Sequence, residues 1–185
     1  HEHFSIYYKL AETYDEIIIV ESASDAESII RSEGKVGFLL HLEGAEPIDD
    51  PYDLVLLRRL GVRSLGLTWN YENKYACGCS AKKDYGLTAL GEELIKMANK
   101  LGIIIDLAHA SKKTALEAIE VSKKPVIVSH TNIRKFVDTP RNVDDEILEA
   151  IKKNGGVVGL SVIGPLIAKK PKPSLDDLIQ HYLYV

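Results

Sequence analysis

Two histidines and a glutamate are the residues best placed to do chemistry. Glu43 closes the run VGFLLHL-E-G, His109 closes IIIDLA-H and His130 closes PVIVS-H, each at the end of a stretch of apolar residues. Imidazole nitrogens and a carboxylate oxygen are the donors that hold a catalytic zinc ion through three protein ligands, leaving a fourth position for water. Trp69 closes a further run, SLGLT-W, at the corresponding place. Arg141-Asn142 follows Pro140 and precedes Asp144, Asp145 and Glu146. The acidic residues read as the first turn of a helix. The arginine is a candidate for a paired contact with a carboxylate, whose two oxygens match its planar fork.

Other residues of the same types have plainer readings. His41 lies inside an apolar run and is expected to be an interior histidine, or one that supports the site's ligands from behind, with a satisfied hydrogen bond. His181 falls on the last predicted helix as a surface or packing residue, and His1 and His3 are given no role. Cys77 and Cys79 are two apart, too close for a comfortable disulfide, and no second cysteine pair completes a zinc site, so they read as loop residues.

These residues need elements to hold them. Apolar runs at 36–42, 64–69, 103–107, 125–128 and 157–162 are continuous and not alternating, so both strand faces should be buried. Helical periodicity follows the first four of them at 51–60, 88–101, 111–121 and 143–153, which is the order of parallel strands covered by helices. A helix at 4–14, a strand at 17–20 and a helix at 24–32 come first, and Ser174 caps a last helix to 184. Gly102 and Gly155 stand where left-handed caps would end two of the helices. Loops leaving the C-terminal ends of parallel strands gather on one face, so Glu43, His109 and His130 are expected within one metal-sized site. Five or six βα units fit either an open doubly wound sheet or part of a (β/α)8 barrel, which takes about 250 residues. The glycine-rich phosphate loops of nucleotide-binding sheets are missing from the sequence.

The 185 residues, 45% apolar and 27% charged, exclude wholesale disorder and suffice for one core; no linker or repeat divides 1–185, read as a single partial barrel domain. Net charge is −4 and the 23 Lys+Arg form no basic block, which argues against nucleic-acid and polybasic membrane partners. Without an apolar run of roughly 18 residues or a signal-peptide pattern, a cytoplasmic location is expected.

The blocks HLEGAEPI, GVRSLGLTWNYEN, GLTALGEELIKMANKLGIIIDLAHAS, PVIVSHTNIRK and RNVDDEILEAIKKNGGVVGL together resemble the membrane dipeptidase (renal dipeptidase) family of zinc peptidases. The resemblance implies a (β/α)8 TIM-type barrel with two zinc ions that hydrolyses dipeptides through a metal-activated water. It places Glu43 as the bridging ligand, His109 and His130 as ligands of the second zinc, and Arg141 on the substrate carboxylate. Trp69, where many members carry a substrate-contacting histidine, and its neighbour Asn70 are assigned to substrate binding.

Two parts of the family pattern have no match. The H-x-D pair that completes the first zinc is absent from the 42 residues before Glu43, and the catalytic aspartate would follow Tyr184. The first and last barrel strands are therefore expected from other segments of the same protein or from a partner chain, with a homo-oligomer compatible. On that reading the 185 residues alone hold at most one zinc and show no dipeptide turnover. The alternatives are another amidohydrolase-type metallohydrolase and a non-catalytic partial-barrel subunit.

Overall fold

Each strand of this chain is laid down beside the one before it. The computed structural model describes residues 2–185, with side chains from residue 4 onward, so His1 and the imidazole of His3 lie outside the described residues. It opens with α1 (Glu2–Thr13), β1 (Ile17–Ile19), α2 (Ala23–Arg31), β2 (Val36–Phe38) and β3 (Leu40–Leu42). A 3-10 turn (Pro51–Asp53) runs into α3 (Leu54–Arg59), followed by β4 (Val62–Gly66), α4 (Ala89–Leu101), β5 (Ile104–Asp106) and α5 (Lys112–Val121). The rest is β6 (Ile127–Thr131), α6 (Asp145–Asn154), β7 (Val157–Leu160), α7 (Gly164–Ile167) and α8 (Leu175–Tyr184).

β1 pairs with β2, and β3 through β7 form a five-stranded sheet in chain order, every pair parallel. A doubly wound sheet reverses its strand order at a switch point. No reversal occurs here, so the arrangement is the singly wound wall of a (β/α)8-type barrel. The helices start where side chains cap them: the hydroxyls of Thr88 and Ser111 and the carboxylate of Asp144 accept from Gly91, Thr114 and Ile147 N–H. Gly102 and Gly155 end α4 and α6 in the left-handed region, at φ +67 and +76. α4 sets Leu94, Ile95 and Ala98 into a core shared with Leu65, Ile105 and Val128. Burying each large aliphatic side chain contributes about 1.5–3 kcal/mol.

Several expectations are corrected. The run at 36–42 breaks at exposed Leu39 into β2 and β3, which pair with different neighbours. Gly61, at φ +90, turns the chain so that pairing begins at Val62, and Trp69 lies three residues past the end of β4, in a loop. His130 stands inside β6 and not beyond it. All five residues of β4 are buried, as a central strand requires, but Val36 and Val157 are more than half exposed. β7 is the edge strand of its sheet and β2 belongs to a separate pair, so neither is enclosed as β4 is. α7, four residues long with Pro165 in its first turn, is too short for periodicity to reveal.

His181 proves to be packing and not surface. It is fully buried; its Nδ1 accepts Ile133 N–H at 2.9 Å, so Nε2 carries the proton and donates to Ile167 C=O at 3.0 Å. The edge of its ring meets Phe136, with centroids 4.8 Å apart. His181→Ala leaves two buried backbone groups without partners beside a cavity, and is expected to cost roughly 3–5 kcal/mol in urea unfolding. A loss below about 1 kcal/mol would show that water or repacking replaces both bonds.

Candidate metal centre

Three strands deliver the donors. Glu43 follows the last residue of β3, and Gly44 takes φ +101 so that the chain turns away at once. A Cβ at Gly66 on β4 would come 3.1 Å from Gly44 N, so the two strand ends sit tightly together. His109 follows β5 by three residues and His130 is the penultimate residue of β6. All three emerge at the C-terminal end of the sheet.

One ligand atom from each lies within 4.8 Å of the others. His109 Nε2 is 3.2 Å and His130 Nε2 3.4 Å from Glu43 Oε1, and the two imidazole nitrogens are 3.0 Å apart. Tetrahedral bonds of roughly 2.0–2.1 Å place neighbouring donors about 3.3–3.4 Å apart, so this triangle fits a small cation. Asn70 strengthens the fit. Its Oδ1 lies 2.8 Å from His109 Nδ1 and can only accept, which puts the proton of neutral His109 on Nδ1 and turns the Nε2 lone pair toward Glu43. A carboxylate oxygen facing the Nε2 lone pair of His109 is an arrangement that a cation stabilises. His109 is nearly buried while the Glu43 carboxylate is about half exposed, so the centre has one walled side and one open side.

Burial drives the pKa of His109 down to about 4, helped by the neighbouring Arg141 guanidinium and the His130 ring and opposed by the Glu43 carboxylate. The imidazole is therefore neutral at pH 7 and ready to ligate. From about pH 6.5 down to about pH 4 the unfolded chain binds a proton at this residue that the folded chain refuses, so the stability of the metal-free chain falls as pH drops through that window. Urea midpoints taken from about pH 7.5 to about pH 4.5 should fall more steeply for the wild type than for His109→Asn. Equal slopes would remove this residue as the cause.

His109 has φ +69, the one positive φ at a non-glycine position among the described residues. The loop over residues 69–88 holds it there. Cys79 N–H donates to His109 C=O at 2.7 Å, Ser80 N–H to Asn70 C=O at 2.7 Å, and fully buried Tyr75 anchors the loop through its hydroxyl to Ile48 C=O. A Cβ at Gly78 would strike the backbone of Trp69 and Asn70, so the loop folds back on itself over His109. Cys77 and Cys79 are both free thiols; Cys79 donates toward Asn70 Oδ1 at 3.5 Å.

The other candidates fall around this centre. The half-exposed ring of Trp69 lies 5.7 Å from that of His109. Asn70, expected at the substrate, spends its oxygen on His109. Arg141 donates to His130 C=O at 3.4 Å and has no carboxylate partner among the described residues; burial lowers its pKa. A cavity of about 170 Å³ opens between it, His109, Cys79 and Arg134. His41 makes the expected hydrogen bond, with Ser64 Oγ at 3.0 Å, but it is exposed and not interior, since β3 is an edge strand of its sheet, and it stays out of the donor cluster. Sequence reasoning missed Asp106 beneath the centre, although a carboxylate inside the run IIIDL is itself a signal, since buried charges need partners.

Donors for a metal on the C-terminal rim of a parallel α/β barrel wall are the arrangement of metal-dependent barrel enzymes. The chain belongs to the membrane dipeptidase family (peptidase family M19), whose profile matches residues 2–185. It is 36% identical over 180 residues to an uncharacterized dipeptidase of Schizosaccharomyces pombe, covering 92% of this chain and 43% of that protein. Dipeptidase 3 of Rattus norvegicus is 34% identical over 193 residues, covering all of this chain and 38% of that protein. The crystal structure of an amidohydrolase from Pseudomonas aeruginosa superposes with a TM-score of 0.92 at 31% identity, over 99% of this chain and 56% of that one. The chain thus spans about half the length of the relatives it matches. Among the described residues no helix is long and apolar enough to cross a membrane.

Proposed function

We propose that this chain supplies one zinc half-site and the carboxylate anchor of a dipeptidase. The observation that carries the reading is the convergence of Glu43, His109 and His130 beside an arginine that has no acidic partner among the described residues. Glu43, His109 and His130 would hold the metal, and Glu43, half exposed, would remain accessible to a second one. Zinc, when bound, brings the pKa of a water toward neutrality and polarises the scissile carbonyl. Asn70 keeps His109 in the ligating tautomer. Arg141 takes the free C-terminal carboxylate of the dipeptide in a forked pair, which limits substrates to those whose carboxylate lies one residue beyond the scissile bond. The open side of Glu43 admits the substrate, and Trp69 covers the flank of His109.

The test is hydrolysis of a dipeptide by the complete barrel, this chain together with the segments that supply the remaining strands, metal-depleted and then given Zn²⁺, beside the same dipeptide amidated at its C-terminus. Turnover restored by Zn²⁺ and much faster on the free acid than on the amide is expected. Turnover indifferent to chelation would end the metal reading. Hydrolysis of cyclic amides in place of dipeptides would point to another amidohydrolase-type reaction.

A further inference from the structure

The reading of the triad as a metal site raises the question of what holds its donors in place. We propose that Asp106 is a positioning residue whose single buried carboxylate ties together the three strands that carry the ligands. It is the last residue of β5 and 1% exposed. Its Oδ1 accepts Ala108 N–H at 2.9 Å and Ser129 N–H at 2.9 Å. These are the amides of the residues directly before His109 and His130. Its Oδ2 has no hydrogen-bond partner among the described residues and lies 3.6 Å from His41 Nε2. His41 stands two residues before Glu43 and is itself tied to Ser64 on β4. One side chain therefore touches the chain leading to every member of the triad.

A buried carboxylate with one oxygen unpartnered is costly, and an apolar residue would pack at that position with less penalty. What the carboxylate does there is geometric. His109 is held at φ +69, a conformation that persists in a histidine only when its surroundings over-determine it. Asp106 grips the peptide before it through Ala108 N–H, and Cys79 N–H grips the carbonyl after it at 2.7 Å. The bond to Ser129 N–H sets β6 at the height that brings His130 Nε2 to 3.0 Å from His109 Nε2. Removing the acceptor frees both turns at once, and the triangle of donors loosens.

The inference rests on the metal reading but can fail separately from it. Co²⁺ titration of the chain, with visible absorption at saturation, reads affinity and coordination geometry, and hydrogen exchange at Ala108 and Ser129 reads the clamp without metal. Asp106→Ala is expected to weaken Co²⁺ binding about 10–100-fold, to change the absorption bands at full occupancy and to expose both amides to exchange. Asp106→Asn keeps an acceptor oxygen of the same shape, so it should preserve amide protection and hold affinity within about 3-fold of the wild type. Wild-type affinity and spectrum in Asp106→Ala would overturn the proposal. So would affinity that does not follow amide protection in Asp106→Asn, which decides the matter should the alanine variant not fold. If the wild-type chain binds no Co²⁺ the metal reading falls, while the exchange rates still decide whether Asp106 holds the two turns.

Discussion

Replacing His109 with asparagine is expected to weaken Zn²⁺ binding on the order of 100-fold. Four-ligand structural zinc sites gain roughly 10–16 kcal/mol on binding, so one donor is worth about 3 kcal/mol, or about two decades of affinity. Asparagine suits the test because it tolerates the left-handed backbone that His109 adopts at φ +69, which keeps strain out of the comparison. Its short side chain cannot put a donor where the imidazole Nε2 stands, 3.2 Å from Glu43 Oε1. A competition titration against a chromophoric chelator measures the loss. A change below about 3-fold would mean that His109 is not a ligand and that the triangle of donors has another purpose.

In the complete barrel, Arg141→Met should raise KM for dipeptides roughly 30- to 5000-fold while changing KM for the C-terminally amidated dipeptide by less than about 3-fold. Truncating one partner of a desolvated, hydrogen-bonded charge pair costs about 2–5 kcal/mol. The guanidinium fits that case: it is half-buried, without an acidic partner among the described residues, and hydrogen-bonded to the carbonyl of His130. Arg141→Lys should fall between, since an ammonium keeps the charge but loses the fork. Equal effects on the acid and the amide would remove Arg141 from carboxylate recognition.

The repeating unit of the fold was legible because parallel strands buried on both faces need unbroken apolar runs, and helices laid over them need a 3.6-residue period. The ends of α4 and α6 were legible for a similarly local reason, since Gly102 and Gly155 supply the positive φ that stops a helix. Register was less visible. Nothing in the run at 36–42 announces the break at Leu39, because which neighbour a strand pairs with is decided by other segments. The same holds for β4, where the turn at Gly61 advances pairing to Val62 and leaves Trp69 in a loop.

Residue type and position at strand ends were sufficient to single out Glu43, His109 and His130, since the C-terminal rim of a parallel sheet is where loops converge. Whether the three meet could only be decided by the tertiary structure, because the distance between Oε1 and two Nε2 atoms depends on strand order, stagger and backbone dihedrals set by distant contacts. The singly wound order, the positive φ of His109, the reach of Asn70 across 39 positions to its Nδ1, and the burial that holds its pKa near 4 are all of that kind. Asp106 and His181 make the same point from within the core. Each is a polar residue with a partner far along the chain, Ser129 at 23 positions from Asp106 and Ile133 at 48 from His181, and a hydrogen bond across such a span has no local pattern because the chain between its ends is free to be almost anything that folds.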